Sequence, residues 1–359
     1  MSGADHTGDP PRVGRRQLLC GLSATLAASC RKRAPADTAV PSSSGEGKSA
    51  SEATLLNASY DPTREFYAAY DRLFAAENLA RGGVHVSVQQ SHGGSAAQAR
   101  AVTEGLAADV VTLALPLDVG LLAKKGLLPA TWQTRLPHDS SPYTSTIVLL
   151  VRAGNPKGIR SFADLARDGV SIVTPNPKTG GGARLNYLAA WGDAERQPGA
   201  TPDKVRAFMR RVVKNVAVFD AGARGSSTTF IQKKIGDVLI TWENEAKLAL
   251  AKSAAGEFEL IVPPSSILAE PPVSVVDAVV DQRGTRALAE AYLSTLYRAD
   301  VQELMAQHGY RPRDPEVLAR HGGQFPKLEL FTIAAFGGWE QAQATHFAEG
   351  GSFDQLSAA

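Results

Sequence analysis

Four times in this chain a short run of β-branched and apolar residues ends in a small polar loop that opens a helix. The four junctions are Ser59-Tyr60-Asp61-Pro62-Thr63-Arg64-Glu65, Gln90-Ser91-His92-Gly93-Gly94-Ser95, Asn176-Pro177-Lys178-Thr179-Gly180-Gly181-Gly182-Ala183-Arg184, and Asp220-Ala221-Gly222-Ala223-Arg224-Gly225-Ser226-Ser227-Thr228-Thr229. Strand, loop and helix repeated in this way commit a chain to largely parallel sheets covered by helices, because parallel neighbours are joined by crossover connections. Each junction also leaves backbone N–H groups unpaired at the positive end of a helix dipole, an arrangement that favours anions. Glycine lets a ligand approach that backbone without a side chain between them. At the first junction Asp61 is placed to cap the helix and Pro62 to occupy its first turn.

The strands between these junctions read as Thr54–Ser59, Val84–Val88, Asp109–Leu115, Ser145–Arg152, Val170–Thr174, Val216–Phe219, Asp237–Thr241 and Phe258–Val262, with helices at Arg64–Ala80 and Ala96–Leu106. Ile267–Val280 reads as a further extended apolar segment, and Thr285–Gln307 as helix. A chain of 359 residues exceeds one ordinary core. The pattern predicts two α/β lobes joined by two crossing segments, the first lobe holding 54–145 and 270–359 and the second 146–269. Two of the junctions precede Gly154 and two follow it, so their loops face one another across the gap between the lobes.

The first thirty residues have the order of an export signal: Arg15-Arg16, then an uncharged, largely apolar stretch from Gln17, then small residues. Paired arginines ahead of Gln-Leu-Leu suit the twin-arginine route, and an ordinary secretory signal is the alternative. Ala27-Ala28-Ser29-Cys30 resembles a lipoprotein cleavage site. Cys20 would leave with the signal, so Cys30 would be the only cysteine of the mature chain, with nothing to pair with and a lipid to carry. Residues 31–53 are rich in Pro, Ser, Gly and Ala and read as a flexible tether. Loss of residues 1–29 leaves 35 basic against 34 acidic side chains, a balance that gives no footing for nucleic acid. No other apolar run is long enough to span a bilayer.

Enzyme readings find no assembled chemistry. The seven histidines (6, 85, 92, 138, 308, 321 and 346) lack metal-ligand spacing, no G-x-S-x-G elbow occurs, and no phosphate loop ends in Gly-Lys-Ser/Thr. Asp193 with Glu195, and Glu243 with Glu245, are the nearest thing to paired carboxylates; they read as solvated surface charge. No metal and no cofactor is expected.

With these junctions in hand, the chain resembles the bacterial periplasmic sulfate- and thiosulfate-binding proteins of ABC importers. The resemblance runs from Leu55 to Leu356 through SYDPTRE (59–65), QSHGGS (90–95), DVVTLAL (109–115), PYTSTIV (142–148), TPNPKTGGGAR (174–184), NYLAAWG (186–192), GARGSSTTF (222–230), GDVLITWENEA (236–246), ILAEPPVSVVD (267–277), YRPRD (310–314) and FGGW (336–339). It implies a two-lobed type II periplasmic binding protein, monomeric and without catalysis, which hands sulfate or thiosulfate to a membrane permease. It also implies that the dianion is held by the backbone amides of Asp61, Ser95, Gly181, Gly182 and Ala223 and by the indole N–H of Trp242. Gly180 stands where the family has a serine hydroxyl. Arg184 and Arg224 are expected beside the anion in a supporting role, bonded to backbone or carboxylates. Another oxyanion such as molybdate, or a sensor that shows its closed form to a membrane receptor, uses the same physics.

Overall fold

The computed structural model describes residues 52–82 and 84–358. The expected export signal, Cys30 and nearly all of the expected tether lie outside the described residues; Glu52 and Ala53, counted with the tether, are already paired in the first strand.

The first half of the chain runs β1 (Glu52–Tyr60), a 3-10 turn (Asp61–Thr63), α1 (Arg64–Gly82), β2 (His85–Gly93), α2 (Ser95–Thr103), β3 (Val110–Thr112), α3 (Pro116–Lys124) and a one-turn α4 (Pro137–Ser140). The chain then enters a second series: β4 (Tyr143–Arg152), β5 (Ile172–Pro175), α5 (Gly181–Arg196), α6 (Pro202–Lys214), β6 (Val216–Asp220), α7 (Ala223–Ile231), β7 (Val238–Trp242), α8 (Glu243–Lys252), β8 (Phe258–Ile261) and β9 (Ser265–Ala269). It returns as β10 (Val273–Val275), α9 (Asp277–Arg283), α10 (Arg286–Thr295) and α11 (Ala299–Gln307), and closes with β11 (Arg311–Pro312), α12 (Pro315–Arg320), β12 (Glu329–Phe331), α13 (Trp339–Ala342) and α14 (Ser352–Ser357). The segment Ile267–Val280 is therefore two strands broken at Pro271-Pro272 and then a helix, since proline cannot donate to a ladder. Thr285–Gln307 is two helices, α11 restarting after Arg298 as its N-cap.

The first sheet has the order β10-β3-β1-β2. β1 pairs with β2 in parallel over nine residues, from Glu52 opposite His85 to Tyr60 opposite Gly93. Alternation along β1 sends Leu55 to the face covered by α1 and α10, and Leu56 and Ala58 to the face covered by α2 and α3. β10 alone runs antiparallel here.

The second sheet has the order β12-β9-β4-β7-β5-β6, with β8 and β11 also on β4. It is mixed, less parallel than the strand–helix rhythm predicts, because β4 runs against β7, β8, β9 and β11. Tyr143–Val151 are buried throughout, which accounts for the unbroken apolar run of β4.

The tail does not stay with the first sheet as expected. β12 pairs with β9, and Phe331, Phe336, Phe347 and Phe353 pack against α5 around Tyr187 and Trp191. This second cover is why α5 is apolar on nearly every side. It also fixes Gly192, where a Cβ would lie 2.5 Å from the Phe331 ring. The chain thus passes between the two sheets three times: into β4, out of β9, and again between α11 and β12. At the waist Tyr143 and Thr144 pair with β11, while Ser145 and Thr146 pair with β9.

Candidate anion-binding cleft

The four junctions meet at one place. A cleft of about 30 Å³ is lined from the first sheet by Tyr60, Asp61, Pro62, Gly93, Gly94 and Ser95, and from the second by Pro175, Gly180–Ala183, Gly222, Ala223 and Trp242. That is roughly room for a few waters, the scale of a small ion. All seven residues expected at the ligand line it.

The helices that open here are left uncapped. The N-cap is Tyr60 for the turn before α1, Gly94 for α2, Gly180 for α5, Gly222 for α7 and Trp242 for α8, and none of them makes a side-chain cap hydrogen bond. Elsewhere Thr201 caps α6 and Asp314 caps α12, while α3, α9, α10, α11 and α14 also start without a side-chain cap, so what marks the cleft is that several uncapped starts converge there. A missing cap leaves first-turn N–H groups without partners, at a cost that a negatively charged oxygen would offset. Asp61 is not the N-cap its sequence position predicts: it already lies within the 3-10 turn, and its Oδ1 accepts from Arg64 Nη2 at 2.8 Å.

Side chains behind the cleft hold its two walls together. Gly181 rides directly on Asp118 and Ser95, so that a Cβ there would stand 2.5 Å from Asp118 Oδ2 and 3.1 Å from Ser95 Cβ. Ser95 Oγ donates to Asp118 and accepts from the Ala114 N–H at 2.9 Å. Burial raises the Asp118 pKa against the pull of Ser95 and of Arg184. Trp242 is 2% exposed, packs against Tyr60 with ring centroids 5.5 Å apart, and donates its indole N–H to the Gly182 carbonyl at 3.1 Å. The indole donor expected for the ligand is therefore engaged within the cleft wall.

Neither arginine is among the residues that line the cleft. Arg184 Nε donates to the Pro177 carbonyl at 3.3 Å, and burial lowers its pKa while Asp118 opposes the shift. Arg224 forms a fork on Glu65 at 3.2 and 3.0 Å and reaches the buried Glu245 at 3.4 Å. Burial raises the Glu245 pKa to about 7, Arg224 opposing it. Lys252 joins Glu65 at 2.8 Å, so that α1 is tied to both α7 and α8.

Glu65 gives this tie a pH dependence. Burial would raise its pKa, but the hydrogen bonds from Arg224 and Lys252 win and bring it down to about 2 from 4.5. A lowered carboxylate stabilises above the unfolded pKa and loses that contribution as pH falls through the folded one. Stability is expected to drop between about pH 4.5 and pH 2, and Glu65→Gln to flatten the drop in acid unfolding followed by circular dichroism. An unchanged slope in that variant would remove Glu65 from the account.

Sequence reasoning missed Asp118, Glu65 and Tyr60 at this site, and it misjudged the paired carboxylates. Asp193 is 3% exposed and accepts from Ser265 Oγ at 2.6 Å, and Glu245 is likewise buried. Glu243 is 0% exposed and clasped by Arg311 at 2.7 and 3.1 Å. Only Glu195 reaches solvent, accepting from Trp191 Nε1 at 2.7 Å. Their partners lie up to 72 residues away, where local spacing carries no signal. Among the described residues no group of His, Cys, Asp and Glu is placed to hold a metal ion.

The sequence pattern of the family described as bacterial extracellular solute-binding protein matches residues 55–311. The chain is 54% identical over 309 residues to the sulfate-binding protein of Escherichia coli (strain K12), covering 86% of this chain and 94% of that one. It is 46% identical over 304 residues to the thiosulfate-binding protein of Pseudomonas aeruginosa, covering 84% and 91%. The solved structure of the sulfate-binding protein SubI from Mycobacterium tuberculosis superposes with a TM-score of 0.73 at 32% identity, covering 81% of this chain and 98% of that one.

Proposed function

Because this chain belongs to the sulfate- and thiosulfate-binding branch of the bacterial extracellular solute-binding proteins, we propose that its cleft captures sulfate or thiosulfate outside the cytoplasm and carries it to an ABC permease. The observation that carries the reading is the convergence of uncapped helix N-termini from two sheets on one small cleft. The backbone N–H groups of Asp61, Ser95, Gly181, Gly182 and Ala223 supply the donors, and Trp242 turns its indole N–H from the Gly182 carbonyl toward the anion. Arg184 and Arg224 stay on their protein partners and orient the loops. The protein acts as a monomer without catalysis, the lobes closing on the ion by rotation at the waist. Cys30 carries the lipid that holds it at the membrane, which mass spectrometry of the mature N-terminus checks.

A cleft lined chiefly by donors also sets selectivity. Asp61 is the only carboxylate among the described residues that line the cleft, and its Oδ1 accepts from Arg64. Phosphate keeps a proton at neutral pH, and in such a site that proton would be desolvated with nothing to accept it, at a cost of about 2–7 kcal/mol. Calorimetric titration of the ligand-stripped protein is expected to give one-to-one binding of sulfate or thiosulfate at micromolar affinity or tighter, with phosphate at least a hundredfold weaker. Equal affinity for phosphate would overturn the donor-only reading. Tight molybdate binding with weak sulfate would move the ligand to another oxyanion. Loss of sulfate uptake on deletion separates transport from sensing.

Gly180 is the adjustable position. A Cβ there would meet Ala183 Cβ at 3.5 Å and the Ala221 and Asn176 carbonyls at 3.7 Å, all ordinary contacts, so serine fits. One added hydrogen bond to a charged group is worth about 1.5–3 kcal/mol, so Gly180→Ser is expected to tighten sulfate binding about ten- to a hundredfold. Thiosulfate, which is bulkier, is expected to gain less; a variant that leaves both affinities unchanged would place Gly180 away from the ion.

A further inference from the structure

The helix α6 gathers five basic side chains on its outer side without a paired carboxylate among the described residues. Val205, Met209 and Val212 turn inward, one face at helical spacing, and are buried. The outer face carries Lys204, Arg206, Arg210, Arg211 and Lys214, all exposed, with Asp203 at the first turn as the only acid on the helix. None of the five makes an ion pair among the described residues, whereas Arg135, Arg286, Arg298, Arg313 and Arg320 elsewhere are each matched to a carboxylate. Lys204 donates to the Gly199 carbonyl at 2.8 Å and Arg206 to Gln355 Oε1 at 3.2 Å. Arg210, Arg211 and Lys214 have no side-chain partner among the described residues.

A cationic strip of this kind is a surface waiting for negative charge. It is about 15 Å long, from the rise of ten helical residues. The chain as a whole is close to neutral, with 38 basic and 36 acidic side chains, so the strip is a local concentration and not a share of a general excess. The remaining exposed positions of the helix are Pro202, Asp203 and Ala207, which offer no aromatic or aliphatic anchor of the sort that centres a protein interface. Its apolar face is already spent on the core, so insertion into a bilayer is closed to it. What remains is electrostatic contact with a layer of phosphate groups, to which guanidinium groups bind with two parallel donors.

We propose that α6 is a docking face for an anionic bilayer surface, bringing the second lobe against lipid headgroups. Each Lys or Arg near such a surface strengthens binding roughly fivefold at low salt, and the effect fades within a Debye length. The three cations without local bonds supply the cleanest variant, Arg210→Gln/Arg211→Gln/Lys214→Gln, made in the full chain so that the N-terminal segment is the same on both sides of the comparison.

The test is sedimentation with vesicles of three parts phosphatidylglycerol to seven of phosphatidylcholine, against phosphatidylcholine alone. The unaltered protein is expected to prefer the anionic vesicles, and the triple variant to lose roughly a hundredfold of affinity for them. High salt is expected to erase the difference. An unchanged thermal midpoint and sulfate titration in the variant show that fold and cleft are intact. Equal binding of variant and parent to the anionic vesicles overturns the proposal. So does binding by the parent to duplex DNA but not to vesicles, which would assign the strip to nucleic acid.

Discussion

Replacing Gly181 with alanine is expected to abolish tight anion binding while leaving the fold in place. The added methyl would stand 2.5 Å from Asp118 Oδ2 and 3.1 Å from Ser95 Cβ, and both of those groups are held by buried hydrogen bonds on the opposite wall. The walls must part to admit it. Donors on one side then fall beyond hydrogen-bond reach of an ion seated on the other, because such bonds weaken steeply once the distance and angle are lost. Two bonds to a charged group forgone amount to about 3–6 kcal/mol, or roughly a hundred- to ten-thousandfold in Kd. If the walls part when no ion is bound, as the proposed closure requires, the same methyl meets no clash there, and the unliganded thermal midpoint is expected to move by less than about 2 °C. Calorimetry and scanning calorimetry on one preparation read both numbers. Sulfate affinity within tenfold of the parent would mean that the contact of Gly181 with Asp118 is not what sets closure.

The second large effect is expected at the waist. Glu243 is 0% exposed and lies against Arg311, with Lys247 at 3.2 Å on the other side. Arg311→Met keeps the volume and removes the fork, stranding a carboxylate that no water reaches. Breaking a buried pair in this way costs about 3–5 kcal/mol, and the nearby Lys247 holds the loss toward the lower figure. Urea unfolding is expected to show a midpoint lowered by about 1 M or more. The double variant Glu243→Gln/Arg311→Met is expected to recover part of it, since the stranded charge is gone. If Arg311→Met unfolds within about 0.3 M of the parent, the pair is not holding β11 to its neighbours.

What could be read from the residues alone follows the reach of each signal. The junctions at Asp61, Ser95, Gly181 and Ala223 were legible because strand, glycine and helix start are written within ten residues of one another, and the structure brings all four to one cleft. Strands β4 to β8 of the second sheet were legible one by one, but β11 and β12 were not, and neither were the directions, since nothing in the sequence of β4 says that it runs against its neighbours. The tail misled for the same reason: Phe331, Phe347 and Phe353 announce burial, yet not that α5 is what they bury against. Asp118 sits in an unremarked Pro-Leu-Asp-Val helix start, and its importance comes from Ser95 and Gly181, which lie 23 and 63 residues away. The burial of Glu243 depends likewise on an arginine 68 residues on.

The threefold passage of the chain through the waist has a mechanical consequence. Two bodies joined by one strand can swivel, slide and tilt; joined by β4 with β11 and β9 paired to successive residues along it, they bend more easily across the ribbon than they slide. Sideways slip would break the ladder bonds to β9 and β11, whereas bending along one axis spreads a small change over several backbone torsions. An encounter between the two halves therefore always brings the same atoms face to face. Donors spaced for one small ion can be built on separate bodies and still meet in register at every closure.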